Sequence, residues 1–172
     1  EPNALRFSGL RLQQEERIET GPCAHPDQLA TGRTLGQTFT LKRGEMTRLQ
    51  LHTPTWNTSD SAATLTLRRD GPEGEVVAQR RAEDIPDNSW QELAFEPLGP
   101  GVYYVELSDV KGQMGWWSRA DSSYEGGQAF ADGQPLPDVE RALRVMATRP
   151  VGQAEVQVVL AGEHMELSAH VQ

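Results

Sequence analysis

Apolar residues in this chain recur at every second position in short runs, and nearly every run stops at glycine, proline, aspartate or asparagine. A period of two belongs to strands with one buried face, because successive side chains on a strand point to opposite sides. No stretch carries the apolar spacing of an amphipathic helix. Short strands at roughly 8–12-residue spacing, separated by turn residues, specify an all-β protein, read here as a two-sheet jelly-roll β-sandwich.

The clearest patterning begins at residue 36. Phe39 and Leu41 share one face, residues 42–45 turn, and Leu49 and Leu51 continue inward, which predicts a hairpin. Pro54, Trp56, Asn57 and Asp60 then mark a loop, so Trp56 is the tryptophan expected at a loop tip. Leu65 and Leu67 belong to the core. The DGPEG turn at 70–74 predicts a second hairpin with 65–69 against 75–79, which sends Arg68 and Arg69 to one end and Arg80 and Arg81 to the other. Gln91, Leu93 and Phe95 share a face, and GPG at 99–101 turns into a strand with Tyr103, Val105 and Leu107 on one side and Tyr104 on the other. One tyrosine is thus expected in the core. Residues 111–138 read as a loop system closed by the hairpin signal of Asp132 and Gly133, with Phe130 as a core anchor, and Val139, Leu143 and Val145 form a closing strand.

The two ends are patterned differently. Leu5, Phe7, Leu10 and Leu12 suit an edge strand, residues 15–20 another, and 21–33 a loop. Residues 148–152 read as a boundary between a β-sandwich domain at 1–148 and, at 149–172, a linker with an extra hairpin or the start of a following domain. With no signal-peptide pattern, the chain reads as a mature chain or an excised domain. Across the hairpin at 153–171, the spacing of His164 and His170 allows them to face each other, while two exposed histidines are the preferred reading.

Sixteen Lys and Arg against 25 Asp and Glu give a formal charge of −9, which disfavours nucleic acid and anionic membranes as partners. The single cysteine, Cys23, rules out an internal disulfide and a cysteine-based zinc site. The four histidines lack metal-ligand spacing, and the sequence contains no GxSxG, HExxH or phosphate-loop motif, so the chain reads as a non-enzyme.

The chemistry that does stand out is aromatic. Trp116 and Trp117 lie among glycines with Arg119, Asp121 and Tyr124 close by, and with Trp56 they are the candidate ligand-binding residues. Indole rings stack on the C–H faces of sugars, while guanidinium, carboxylate and phenol groups bond hydroxyls. Strand alternation places one of Trp116 and Trp117 in the core instead.

The order of GQTF, GPGVYYVEL, GxxGWW at 112–117, YEGG at 124–127, and Asp132-Gly133 followed by Asp138 and a closing strand resembles the galactose-binding-like jelly-roll modules of bacterial extracellular carbohydrate-active enzymes. The resemblance covers about two-thirds of the chain. It implies a carbohydrate-binding module, extracellular or periplasmic, that binds a polysaccharide or other glycan and targets or supports a catalytic domain of the same polypeptide. It also implies a structural calcium, although no acidic cluster is dense enough to place one. The alternatives are a structural or protein–protein assembly domain, in which the terminal hairpin adds to another sheet edge, and, more remotely, a small polysaccharide hydrolase or lyase.

Overall fold

The structure is a computed structural model that describes residues 3–120, 125–161 and 164–171. Every regular element in these residues is a strand. In chain order they are β1 (Asn3–Glu19), β2 (His25–Gln28), β3 (Leu35–Leu41), β4 (Glu45–Thr53), β5 (Ala62–Arg69), β6 (Val76–Ala82) and β7 (Ser89–Leu98). Then come β8 (Gly101–Lys111), β9 (Gly115–Ala120), β10 (Ala129–Ala131), β11 (Gln134–Leu136), β12 (Val139–Arg141), β13 (Leu143–Ala161) and β14 (His164–Val171). The all-β expectation holds, but the strands fall into three sheets rather than two. Their orders are β11-β10-β3-β8-β5-β6, β1-β13-β4-β7 with β14 on β13, and β12-β9-β2.

The chain divides into two compact units. The larger, residues 17–147, holds the hydrophobic core: Phe39, Leu49, Leu51, Leu65, Leu67, Leu93, Tyr103, Val105 and Leu107 are all buried. These are the alternating positions of β3, β4, β5, β7 and β8. Full burial of each such side chain contributes about 1.5–3 kcal/mol before the entropy of ordering it is subtracted. The smaller unit, residues 1–16 and 148–172, contains the hairpin of β13 and β14, with Ala154 paired to Val171 and Ala161 to His164.

Several local expectations are corrected. The runs at 36–41 and 45–53 are strands but not a hairpin: β3 pairs with β8 and β10, whereas β4 pairs with β7. Alternation shows which face of a strand is buried, and the two strands bury theirs from different sheets. The 65–82 hairpin forms with Leu65 opposite Arg80 and Arg68 opposite Val76, because a bulge shifts the register between Leu67 and Arg68. Residues 15–20 do not start a new strand, since β1 runs unbroken to Glu19. The supposed loop at 21–33 contains β2, which accepts Pro26 because it lies at a sheet edge. Tyr104 is buried as well as Tyr103. Its ring lies over Gly36, where any Cβ would collide with it, and meets Phe130 edge-on at 5.3 Å. His164 and His170 both belong to β14 and so do not oppose each other.

Candidate functional site

The tryptophan pair lies on a strand, β9, with Asp27 of β2 opposite Trp116 and Pro26 opposite Trp117. Trp116 is the core member. It is fully buried, its indole N–H donates to the Ala142 carbonyl at 2.8 Å, and the Arg141 guanidinium sits 5.8 Å from its ring centre. A ligand cannot stack on it, so Trp116 is withdrawn from the binding residues. Arg141 is itself fully buried and is satisfied by Gly36 O at 3.2 Å, Phe130 O at 3.1 Å and the Asp27 carboxylate. This closed network holds β2, β3, β10 and β12 together behind the tryptophan.

Arg119 is committed elsewhere too. Its Nε lies 3.2 Å from Oε2 of Glu140, which is fully buried at the paired position on β12. The contact is an ion pair whose geometry leaves both carboxylate oxygens without a directed hydrogen bond among the described residues. Desolvation pushes the Glu140 carboxyl above its ordinary range, and the Arg119 charge pulls it partly back. The same guanidinium covers Gly21, where a Cβ would run into it. Arg119 therefore supports the fold through Glu140. Asp121 and Tyr124 lie outside the described residues.

Trp117 is half-buried and belongs to a cluster that sequence reasoning missed. Its N–H donates to Asn88 Oδ1 at 3.0 Å, and its ring is 6.1 Å from His52. His52 stacks on Trp90 at 4.7 Å with only 8° between the planes, and the Arg144 guanidinium lies 3.6 Å from the Trp90 ring centre. Arg144 in turn donates to Glu19 at 2.6 Å. Beside these groups runs a groove of about 370 Å³, lined by Glu19, Gly21, Cys23, His52, Trp90 and Arg144 among others. The aromatic groups here are largely stacked on one another. His52 and Trp90 are cross-strand neighbours of β4 and β7, a register that no local pattern announces.

Trp56 behaves differently. The loop between β4 and β5 makes a tight turn in which Thr58 N–H donates to Thr55 O at 3.1 Å, and both central residues are left-handed, Trp56 at φ 50° and Asn57 at φ 61°. Thr55 N–H is held by Asp87 Oδ1 at 2.6 Å, Ser61 Oγ donates to Gln113 O at 2.6 Å, and Gly115 N–H to Pro54 O at 3.0 Å. The turn is thus fixed from three sides. The far edge of the Trp56 ring rests on Gly115, where an added Cβ would come within 3.0 Å, and the residue is 37% exposed. The expectation of a tryptophan at this loop is met. Asn57 and Asp60 are exposed on the same loop.

A second, polar groove of about 420 Å³ is lined by Thr34, Arg68, Glu73, Glu106 and Asp132 among others. Burial raises the Glu106 carboxyl despite the nearby Arg68 charge, and Tyr104 donates to it at 3.3 Å. No group of three or more metal-ligating side chains is gathered among the described residues.

No family model matches the chain, and no curated protein matches it. Among solved structures it is similar to those of infectious bursal disease virus. The Gx strain structure is 12% identical over 98% of this chain and 39% of that one, with a TM-score of 0.30. The Gt strain structure is 12% identical over 97% and 44%, with a TM-score of 0.29. This chain spans less than half the length of either.

Proposed function

We propose that the chain is a non-catalytic glycan-binding domain whose platform is Trp56. The observation that carries this reading is the strain at an exposed aromatic. Left-handed backbone is unfavourable by about 1–2 kcal/mol for a side chain of this kind, and a turn of this shape is ordinarily built with glycine or asparagine. Strained, well-braced positions concentrate at binding sites. An indole held rigidly at a loop tip has already lost the freedom that a ligand would otherwise have to remove.

On this reading a pyranose ring stacks on the open part of the Trp56 ring, and Asn57 and Asp60 bond its hydroxyls. One aromatic contact contributes about 1 kcal/mol beyond area burial, so a single site should bind between micromolar and millimolar. The net charge of −9 favours a neutral glycan. The jelly-roll affinity, an extracellular or periplasmic location, a structural calcium and a catalytic domain in the same polypeptide belong to this proposal. The aromatic cluster at Trp90 favours a second reading, a purely structural domain, because its stacking partners are supplied internally.

The test is a screen of soluble glycans and insoluble polysaccharides, with calcium and again with chelator, on the wild type, Trp56→Ala and Trp117→Ala. Binding lost in a folded Trp56→Ala protein is the expected result. Binding that survives Trp56→Ala, or no binding to any neutral or acidic glycan, overturns the proposal, and the latter favours the structural reading.

A further inference from the structure

β14 is barely covered. Each residue from 165 to 170 is exposed, Met165 at 65% and Leu167 at 64%, and among the described residues the strand pairs with β13 alone. Its outer edge therefore presents N–H and C=O groups with no strand of the described residues beside them. Edges of this kind are ordinarily blunted by proline, lysine or a bulge, and residues 164–171 contain no proline or lysine, while the register with β13 has no shift. The pairing also sorts the strand by face. Leu167 opposes Val158 and Ala169 opposes Val156, whereas Glu166, Ser168 and His170 oppose Val159, Gln157 and Glu155 on the other face.

We propose that two copies of the chain join edge to edge through antiparallel β14 strands, on a two-fold axis through Ser168. Directly opposed residues share a face of the sheet, so the register must keep the apolar and polar faces apart. Centring on Ser168 sets Leu167 opposite Ala169 and, by symmetry, sets Glu166 opposite His170 twice. Moving the centre to the 167/168 junction sets Leu167 against Ser168 and Glu166 against Ala169, mixing the faces. Centring on Leu167 keeps the faces apart but sets Glu166 against Ser168 and forfeits both carboxylate–imidazole contacts. The strand is thus complementary to itself in one register, the condition for an isologous two-fold interface. A single strand edge falls at the small end of interface sizes, so the dimer should be weak, between micromolar and millimolar.

The full chain is measured by sedimentation velocity over a concentration series at about 0.15 M salt, where repulsion between the two acidic copies is screened beyond about 8 Å. A concentration-dependent dimer is expected. Glu166→Lys should raise its dissociation constant roughly tenfold or more, and Glu166→Lys with His170→Glu should restore it, because both carboxylate–imidazole contacts are first lost and then replaced by lysine–glutamate contacts. Ser168→Cys in a Cys23→Ser background should oxidise to a covalent dimer, since Cα atoms facing each other across an antiparallel pair lie about 4.5–5.5 Å apart, within disulfide reach. Gln157→Cys, one strand further in, should not cross-link. A chain that stays monomeric throughout overturns the proposal, as does a dimer indifferent to Glu166→Lys or cross-linked equally well from position 157. Circular dichroism on each variant separates loss of pairing from loss of fold.

Discussion

Replacing Arg119 by alanine removes the cation facing a carboxylate that has no access to water. Glu140 is fully buried and Arg119 is 21% exposed, with 3.2 Å between Nε and Oε2. Breaking a buried pair from one side typically costs about 3–5 kcal/mol, and the partial exposure of Arg119 argues for the lower end, about 3 kcal/mol near neutral pH. For a unit of this size that is a fall in Tm of roughly 10 °C. The loss should depend on pH in a definite direction. Burial already holds the Glu140 carboxyl above its ordinary value, and Arg119 is the group that opposes the rise. Without Arg119 the folded chain holds this proton more tightly still. Stability from such a group is fully present below the unfolded carboxylate pKa and is lost as pH rises through the raised folded value. Arg119→Ala should therefore be much less damaging at about pH 5 than at about pH 8, and Glu140→Gln should flatten the difference. Urea unfolding of the wild type, both single variants and the double variant at the two pH values provides the measurement. A loss that is equal at both pH values, or below about 1 kcal/mol at the higher one, would refute the reasoning and return Arg119 to the pool of surface residues.

Gly36→Ala should destabilise the larger unit by about 1–3 kcal/mol, because its Cβ would occupy the place of the Tyr104 ring; chemical denaturation reads the loss, and Tyr104→Ala in the same chain should reduce the additional penalty from the alanine. The Cys23 thiol is pushed up to about 11, chiefly by desolvation and then by the Glu140 charge, so its alkylation by iodoacetamide near pH 8 should be about a hundredfold slower in the folded than in the unfolded chain; equal rates would contradict this half-buried placement beside Glu140.

Local patterns made much of the core legible. Phe39, Leu65, Leu67, Leu93, Val105 and Leu107 all occupy the interior that their alternation implies, and the turns at 70–74 and 132–133 form hairpins between β5 and β6 and between β10 and β11. What stayed hidden depends on partners distant in sequence. Leu41 and Leu49 look like two arms of one hairpin because each is apolar on its inner face, and nothing nearby says that the partners are β8 and β7. The Gly-rich surroundings of Trp116 and Trp117 suggested a loop, yet β9 forms because β2 and β12 supply hydrogen-bonding neighbours on both sides. Arg119 stood beside polar and aromatic residues and resembled a ligand group, while it forms an ion pair with Glu140 on the neighbouring strand. Trp56 was readable because a turn's residues are contiguous. The His52–Trp90 stack was not, since it exists only once β4 and β7 are in register.

Where the larger unit opens and closes, Thr20 and Leu143 are joined by Thr20 N–H to Leu143 O at 3.0 Å, Leu143 N–H to Thr20 Oγ1 at 2.8 Å and Thr20 Oγ1–H to Leu143 O at 3.3 Å, and Glu19 receives Arg144 beside them. Its first and last residues are therefore spatial neighbours. A short peptide could join them, and the polypeptide could be reopened at the 70–74 turn with the same sheets in the same order. Neighbouring ends of this kind make the unit a candidate for circular permutation and for carriage as an insert within another host chain.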